Sequence, residues 1–474
     1  MRRSVVLSVA VALAVLLVSE VWSSGVREAE GATAKPNIVF ILADDMRKDD
    51  LKYMPKTRSV LKDKGMSFSN AFASNALCCP SRATIMRGQY SHNTRVWTNG
   101  GSSGGWQAYR DKGLQRDNVA TRLDSAGYRT ALFGKYLNGY TDTAGTPRGW
   151  DRWFAHVNGI DYYDYQINDD GTIRHYGSNI TAYEADVLAN HAKAFIDTSA
   201  NAGVPFFAYV APYAPHKGKG RAKPVPAPRD RHTYDGLKAP RPPSFNEKNV
   251  SDKPSWIRQL PRLNDAKKAK IDRRHSSRAE SLQAVDDLVA GVVGKLRDKG
   301  VMGNTYIFFT SDNGWHEGEH RIQGEKWRPY EEDVRMPLLV RGPGVAAGRN
   351  ATKLALNTDF LPTFTNLAGL QRPPYVDGRS LKPVLNGNPT AWRSAVLLEA
   401  ARHFSPAYRG IRTSGGTKYV EYSGGAREFY KLDRDPYELN DRYPAARPSA
   451  GLVSRLHALK TCKADGCRAA ENRQ

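Results

Sequence analysis

Four oxygen-bearing side chains stand directly behind two apolar runs. Asp44 and Asp45 follow the run Asn37–Leu42, and Asp312 and Asn313 follow Tyr306–Thr310. If the two runs are neighbouring strands, the four side chains converge. Three carboxylates that close repel one another unless a cation lies between them. Oxygen ligands without His or Cys favour calcium or magnesium over zinc. Asp and Asn are also ordinary cap and turn residues after strands, so spacing alone leaves both readings standing. A second stretch, Cys78-Cys79-Pro80-Ser81-Arg82, precedes a predicted helix, with Pro80 suited to its first turn. Residue 78 would then sit at a helix N-terminus, where free N–H groups and the helix dipole favour an anion. Arg82 adds a permanent charge of bidentate geometry. On these residues Cys78 is a candidate nucleophile beside an anion site; the other reading is a buried cysteine pair next to a proline turn.

Such residues need elements to carry them. Asn37–Leu42, Thr130–Phe133, Pro205–Val210 and Tyr306–Thr310 are continuous apolar runs, as expected of parallel strands buried on both faces. Each releases polar residues at its C-terminal end: Asp44-Asp45, Gly134-Lys135, Pro215-His216 and Ser311-Asp312-Asn313. In open α/β sheets ligands bind beyond those ends. The pattern predicts a helix from about Arg278 to Lys299, with Leu282, Val285, Val289, Val292, Val293 and Leu296 on one stripe. Ser277 and Glu280 form its expected capping box and Gly300 its stop. Shorter helices are expected at Met54–Lys64, Asn118–Ala126 and Ala182–Thr198. The expected fold is therefore α/β, a large and mostly parallel central sheet flanked by helices. After Asp377-Gly378 come Ala395–Glu399, Arg409–Arg412, Lys418–Tyr422 and Phe429–Leu432, separated by glycine turns. They read as a small antiparallel C-terminal unit. The expected division is a leader at 1–34, a catalytic domain at 35–376, and a C-terminal subdomain and tail at 377–474.

Composition sets outer limits. The chain has 474 residues, 40% of them apolar and 25% charged. That excludes a wholly disordered chain, a collagen-like repeat and a small disulfide scaffold. Lys and Arg number 70 against 48 Asp and Glu, a net charge of +22 that draws polyanions without choosing among them. Residues 217–278, directly after His216, hold 18 Lys and Arg, 6 Asp and Glu and 8 prolines, which reads as a long basic, irregular insertion. Arg2 and Arg3 precede the apolar run Val5–Val18, shorter than the roughly 20 residues of a membrane helix and suited to a signal peptide. An uncleaved anchor is the other reading. We expect an exported protein, secreted or periplasmic, without a stable membrane anchor. Cys462 and Cys467 enclose a short polar loop and suit a disulfide, whereas adjacent Cys78 and Cys79 do not readily bond to each other.

Cys78-x-Pro80-Ser81-Arg82 followed by Gly88 resembles the signature of the type I sulfatases of the alkaline-phosphatase superfamily. The likeness continues in order through Asp44-Asp45, Gly134-Lys135, Pro215-His216, Ser311-Asp312-Asn313-Gly314, Gly324-Glu325-Lys326 and Tyr430–Glu438. It spans roughly Lys35 to Asn440. The resemblance implies that Cys78 is oxidised to formylglycine by a formylglycine-generating enzyme. One hydroxyl of the hydrated aldehyde then attacks sulfur, and the other loses its proton to expel the sulfate. It implies one calcium ion held by Asp44, Asp45, Asp312, Asn313 and residue 78. Arg82 and Lys135 would hold the formylglycine, while His216 and Lys326 would contact the sulfate, with His216 protonating the leaving oxygen. His316 is left between supporting the metal ligands and catalysis. Many members carry a His two residues after the Gly-Lys lysine; here Leu137 stands there, which leaves the group that deprotonates the diol open. Gly134-Lys135-Tyr136-Leu137-Asn138, Cys78-Cys79 and Tyr90-Ser91-His92-Asn93 resemble the N-acetylglucosamine-6-sulfatase branch. The implied substrate is a sulfated carbohydrate and not a nucleic acid. An arylsulfatase, a phosphonate or phosphodiester hydrolase, and a non-catalytic binder of sulfated glycans are the alternatives.

Overall fold

The computed structural model describes residues 35–403 and 405–473; the expected leader at 1–34 lies outside the described residues. Ten strands form one sheet. At its centre Thr305–Ser311, Asn37–Ala43, Phe206–Ala211 and Arg129–Gly134 run side by side and parallel, every one of the expected strands among them. Arg152–Val157 continues the parallel set, and the antiparallel strands lie outside it. The central runs are apolar without interruption because both faces are covered. Ile38, Phe40 and Leu42 point toward Ile85, Leu123 and Phe364 of helices on one face. Val39 and Ile41 point the other way, toward Leu188, Ala192, Leu282 and Val285. Alternating side-chain direction along each strand thus feeds two separate cores.

Register places the functional residues. Ala43 pairs with Ser311, so Asp44 and Asp312 leave adjacent strands at the same level. Gly134 pairs with Ala211, which brings Lys135 to the same end. The helix Cys78–Arg87 is wholly buried, with Cys78 in its first position, and Gly88 ends it in the left-handed conformation at φ 64°.

The long helix corrects an expectation. It runs Asp265–Asp298 and is capped by Asn264, whose side chain accepts from the Lys267 amide; Ser277 and Glu280 lie inside it. The N-terminal part is Lys-, Arg- and Ala-rich, good helix-forming sequence that carries almost no apolar stripe, since it packs over the insertion rather than the sheet. The insertion is therefore helical over its last part. Helices Val119–Ser125 and Glu184–Asn201 stand where expected. The segment Met54–Lys64 is realised as Pro55–Thr57 continuing through Arg58–Lys62.

Near the C-terminus Ala395–Ala400, Tyr408–Thr413, Thr417–Tyr422 and Arg427–Lys431 form a second, antiparallel sheet in sequence order. Gly416 and Gly425 turn the hairpins at φ 79° and 88°. The Cys462–Cys467 disulfide is present. This sheet reaches the loops of the main one through Lys418, whose Nζ lies 2.9 Å from Glu331 Oε1.

Candidate active site

Every polar strand end singled out above arrives at one place. The Cys78 thiol donates to Asp44 Oδ1 at 3.4 Å and faces Asp45 Oδ1 at 3.8 Å. The Asp45 amide donates to Asp312 Oδ1 at 3.1 Å, and Asn313 Nδ2 donates to Asp45 Oδ1 at 2.7 Å. Asp45 adopts φ 63°, a left-handed conformation rare for residues other than glycine and common at functional sites. Asp44, Asp45, Cys78 and His216 offer ligand atoms within 4.8 Å of one another.

Three cations answer the three carboxylates. Lys135 Nζ pairs with Asp44, Lys326 Nζ with Asp45, and Arg82 Nε with Asp312 Oδ2 at 2.8 Å. Lys326 Nζ also donates to Cys78 Sγ at 2.7 Å, and Arg82 Nη1 to the Lys135 carbonyl at 2.8 Å. The protonation pattern follows. Burial works against ionising Asp44, yet Lys135, His216 and Arg82 hold it well below the usual carboxylate range. At Asp312 burial and the Asp44 charge win over Arg82, and its pKa is pushed up to about 6. Burial, reinforced by the Asp44 charge, pushes the Cys78 thiol far above its ordinary value. Burial lowers His216, with Asp44 and Asp45 opposing.

His216 Nδ1 lies 2.7 Å from the Lys217 carbonyl, so Nδ1 carries a proton and Nε2 is turned to the site, 3.6 Å from Asp45 Oδ2. His316 is not in this group. Its Nδ1 bonds Asp333 Oδ1 at 2.5 Å, behind the strand end. Leu137 and Cys79 pack into the apolar core, where burial pushes the Cys79 thiol up to about 12.

One residue escaped the sequence reading. Arg278, buried, donates through Nη2 to the Asp45 carbonyl and to Asp50 Oδ2, both at 2.7 Å, and through Nη1 to the Pro215 carbonyl at 3.4 Å. It ties the loop of Asp45 to the loop of His216. A signal existed: Arg278 lies four residues before Leu282 and so on the buried stripe, where an arginine is anomalous.

The mouth is a cavity of about 410 Å³ lined by His216, Lys217, Trp315, Lys326, Trp327 and His403 among others. Within the walls, Asp45 Oδ2 and Asn313 Oδ1 are buried with no hydrogen-bond partner. Unpaired acceptors beside clustered carboxylates are an arrangement that a hard cation completes.

The family model described as Sulfatase matches residues 36–370. The chain belongs to the sulfatase family. A second model, N-sulphoglucosamine sulphohydrolase, C-terminal, matches residues 318–461. The N-acetylglucosamine-6-sulfatase of Homo sapiens is 37% identical over 79% of this chain and 69% of that protein. The one from Capra hircus is 33% identical over 94% of this chain and 87% of its own. A solved structure in complex with its substrate D-glucosamine-2-N,6-O-disulfate shares the fold with a TM-score of 0.78 at 24% identity, covering 92% of this chain and 99% of that one. This sulfatase is thus a hydrolase of sulfuric esters. No helix among its described residues is long and apolar enough to cross a membrane.

Proposed function

We propose that this sulfatase removes sulfate esters from sulfated carbohydrate, glucosamine 6-sulfate units above all, with Cys78 converted to formylglycine beside one calcium ion. The observation that carries the reading is the meeting of Asp44, Asp45, Asp312 and Asn313 around residue 78, with Asp45 Oδ2 and Asn313 Oδ1 left unpaired. Those four side chains and residue 78 would hold the calcium. When bound, it supplies a positive charge that polarises sulfate oxygens. The thiol itself is a poor nucleophile here, because burial and the Asp44 charge keep it protonated. A formylglycine at this position, once water adds to its aldehyde, would supply a hydroxyl nucleophile with a second hydroxyl on the same carbon.

The remaining work belongs to the chain. Lys326, within hydrogen-bond distance of the residue 78 side chain, and Lys135, paired with Asp44, place positive charge where sulfate oxygens come to rest. Arg82 ties Asp312 to the Lys135 backbone and so orients the ligand set. His216 presents Nε2 for proton delivery to the leaving alcohol. Trp315 and Trp327 at the mouth suit the apolar face of a sugar ring. They suit an aryl group equally, which keeps an arylsulfatase as the second reading. We also propose export, maturation by a formylglycine-generating enzyme, and the division at 376/377 into catalytic and C-terminal parts.

Glucosamine 6-sulfate saccharides, 4-nitrophenyl sulfate and a phenylphosphonate ester should be compared on one preparation. Mass analysis of the tryptic peptide Gly65–Arg82 should run in parallel. Preference for the saccharide and a loss of about 18 Da from the cysteine peptide are expected. Preference for the aryl or phosphonate ester, or an unmodified thiol in fully active protein, overturns the reading.

A further inference from the structure

The charge of the basic insertion is concentrated. Arg221, Lys223, Arg231, Lys270, Arg273 and Arg274 line a cavity of about 620 Å³, and no acidic residue lines it. Arg221, Lys223 and Arg231 come from the loop that follows His216. Lys270, Arg273 and Arg274 come from the long helix, at the i, i+3, i+4 spacing that puts them on one face. Like charges at this spacing destabilise a helix, so fold stability does not account for them.

Arg274 is the second, independent observation. It is 7% exposed. Its Nε and Nη2 have no hydrogen-bond partner, and among the described residues no carboxylate pairs with it. Burial pulls its pKa below the ordinary arginine value, with Glu317 opposing and Arg278 adding to the effect. Of the acids that attract it, Glu317 is engaged with His275 at 2.5 Å and Glu319 with Arg47 at 2.9 Å, and Glu325 acts on it without forming an ion pair among the described residues. A buried cation left without a counter-ion is costly.

The cavity adjoins the mouth. The Arg274 guanidinium lies against Gly324, where an added β-carbon would be 2.3 Å from Cζ, and 5.7 Å from the ring centre of Trp315. Gly324 is two residues from Lys326, and Trp315 lines the mouth. A neighbouring cavity of about 520 Å³ shares Lys223, Arg231 and Arg273 and extends the groove, with Asp235, Asp272 and Glu280 also in its lining, so the acid-free part is the first cavity. That gives room for a length of chain rather than one small ion.

We propose that this groove is a second anion site, which holds a further sulfate group of the same saccharide chain whose ester is cleaved beside residue 78. The assignment rests on the carbohydrate reading above. It makes the insertion a determinant of chain-length preference.

Lys270 and Arg273 are exposed, so Lys270→Glu/Arg273→Glu leaves the core intact. On a heparin tetrasaccharide, KM should rise about tenfold with kcat unchanged. On 4-nitrophenyl sulfate, kcat/KM should stay within about twofold. The pair should elute from immobilised heparin at lower NaCl than Arg434→Glu/Lys463→Glu, which carries the same charge change on exposed residues elsewhere. Arg274→Gln should give the same kinetic split; should it misfold, the surface pair decides. Retention equal to the control, or parallel losses on both substrates, overturns the proposal. Equal thermal stabilisation by inorganic sulfate and by the tetrasaccharide, both lost in the pair variant, makes this a free-anion site and overturns the chain assignment. Heparin retention needs no turnover. Retention through the groove in a wild type that hydrolyses no sulfated saccharide therefore overturns the substrate reading, and the chain assignment with it.

Discussion

Two charge clusters, one buried and the other mostly exposed around the buried Arg274, flank Trp315, and they are balanced in opposite ways. In the first, Asp44, Asp45 and Asp312 each meet a cation of the chain: Lys135, Lys326 and Arg82. In the second, six cations line a cavity without an acid, and Arg274 has no ion pair among the described residues. The difference teaches what each region is for. A site that performs chemistry keeps its charges compensated in advance, so that reacting groups enter a preorganised field. A site that only holds a polyanion leaves its compensation to the ligand.

The comparison breaks if chemistry and chain binding cannot be separated. Cys78→Ala should lower kcat at least about 10³-fold while leaving elution from immobilised heparin unchanged. A shared loss of turnover and retention would merge the two regions into one.

Asp312→Asn should cost about 10²-fold or more in activity and weaken calcium binding, read by equilibrium dialysis, again with heparin retention kept. Its pH dependence sharpens the point. Burial and the Asp44 charge raise Asp312 to about 6, so the free protein holds a proton there below that pH. Calcium must displace it. Affinity should therefore climb as pH rises through about 6 and level off above; a flat profile from pH 5 to 8 removes Asp312 from the ligand set.

His216→Gln tests the proton delivery assigned to the first region. The loss should be about 10²-fold on a sugar ester, whose alkoxide needs the proton, and much smaller on 4-nitrophenyl sulfate. Equal losses would reduce His216 to a charge near the sulfate.

The smallest effect comes from a single compensated pair outside both clusters. His92 Nδ1 bonds Glu399 Oε2 at 3.0 Å and its Nε2 meets the Cys462 carbonyl at 2.9 Å, so both nitrogens face acceptors. Burial opposes the charged form, yet the Glu399 bond and charge raise the pKa. A raised folded pKa gives stability that is full below the unfolded value and fades as pH rises through the folded one. His92→Gln should cost about 1–2 kcal/mol in urea unfolding at pH 5.5, and less at pH 8.5. A cost that grows with pH would reverse the assigned sign.

Much of the site was readable along the chain because parallel strands buried on both faces leave an unmistakable mark. Asn37–Ala43 and Thr305–Ser311 are buried at every position around uninterrupted apolar centres, and carboxylates follow directly. The three-residue strand Met66–Phe68, one place in from the sheet edge, and the hairpin Tyr165–Tyr176 left no such mark, being short or partly exposed. The start of the long helix was misplaced for a related reason. Apolar periodicity reports only where a helix meets a core, and Asp265–Ser277 mostly does not.

By itself, then, the order of residues determined the local chemistry. An uninterrupted apolar run must be buried, a polar cluster follows it, and Pro80 suits the first turn of a helix that begins at residue 78. Only the tertiary structure decided which charges meet. Strand register set Asp44 beside Asp312. A helix far along the chain brought Arg278 to the Asp45 carbonyl and left Arg274 unpaired in its groove. Pairing of buried charges depends on distances of a few ångströms between segments remote in sequence, and no local pattern encodes those distances.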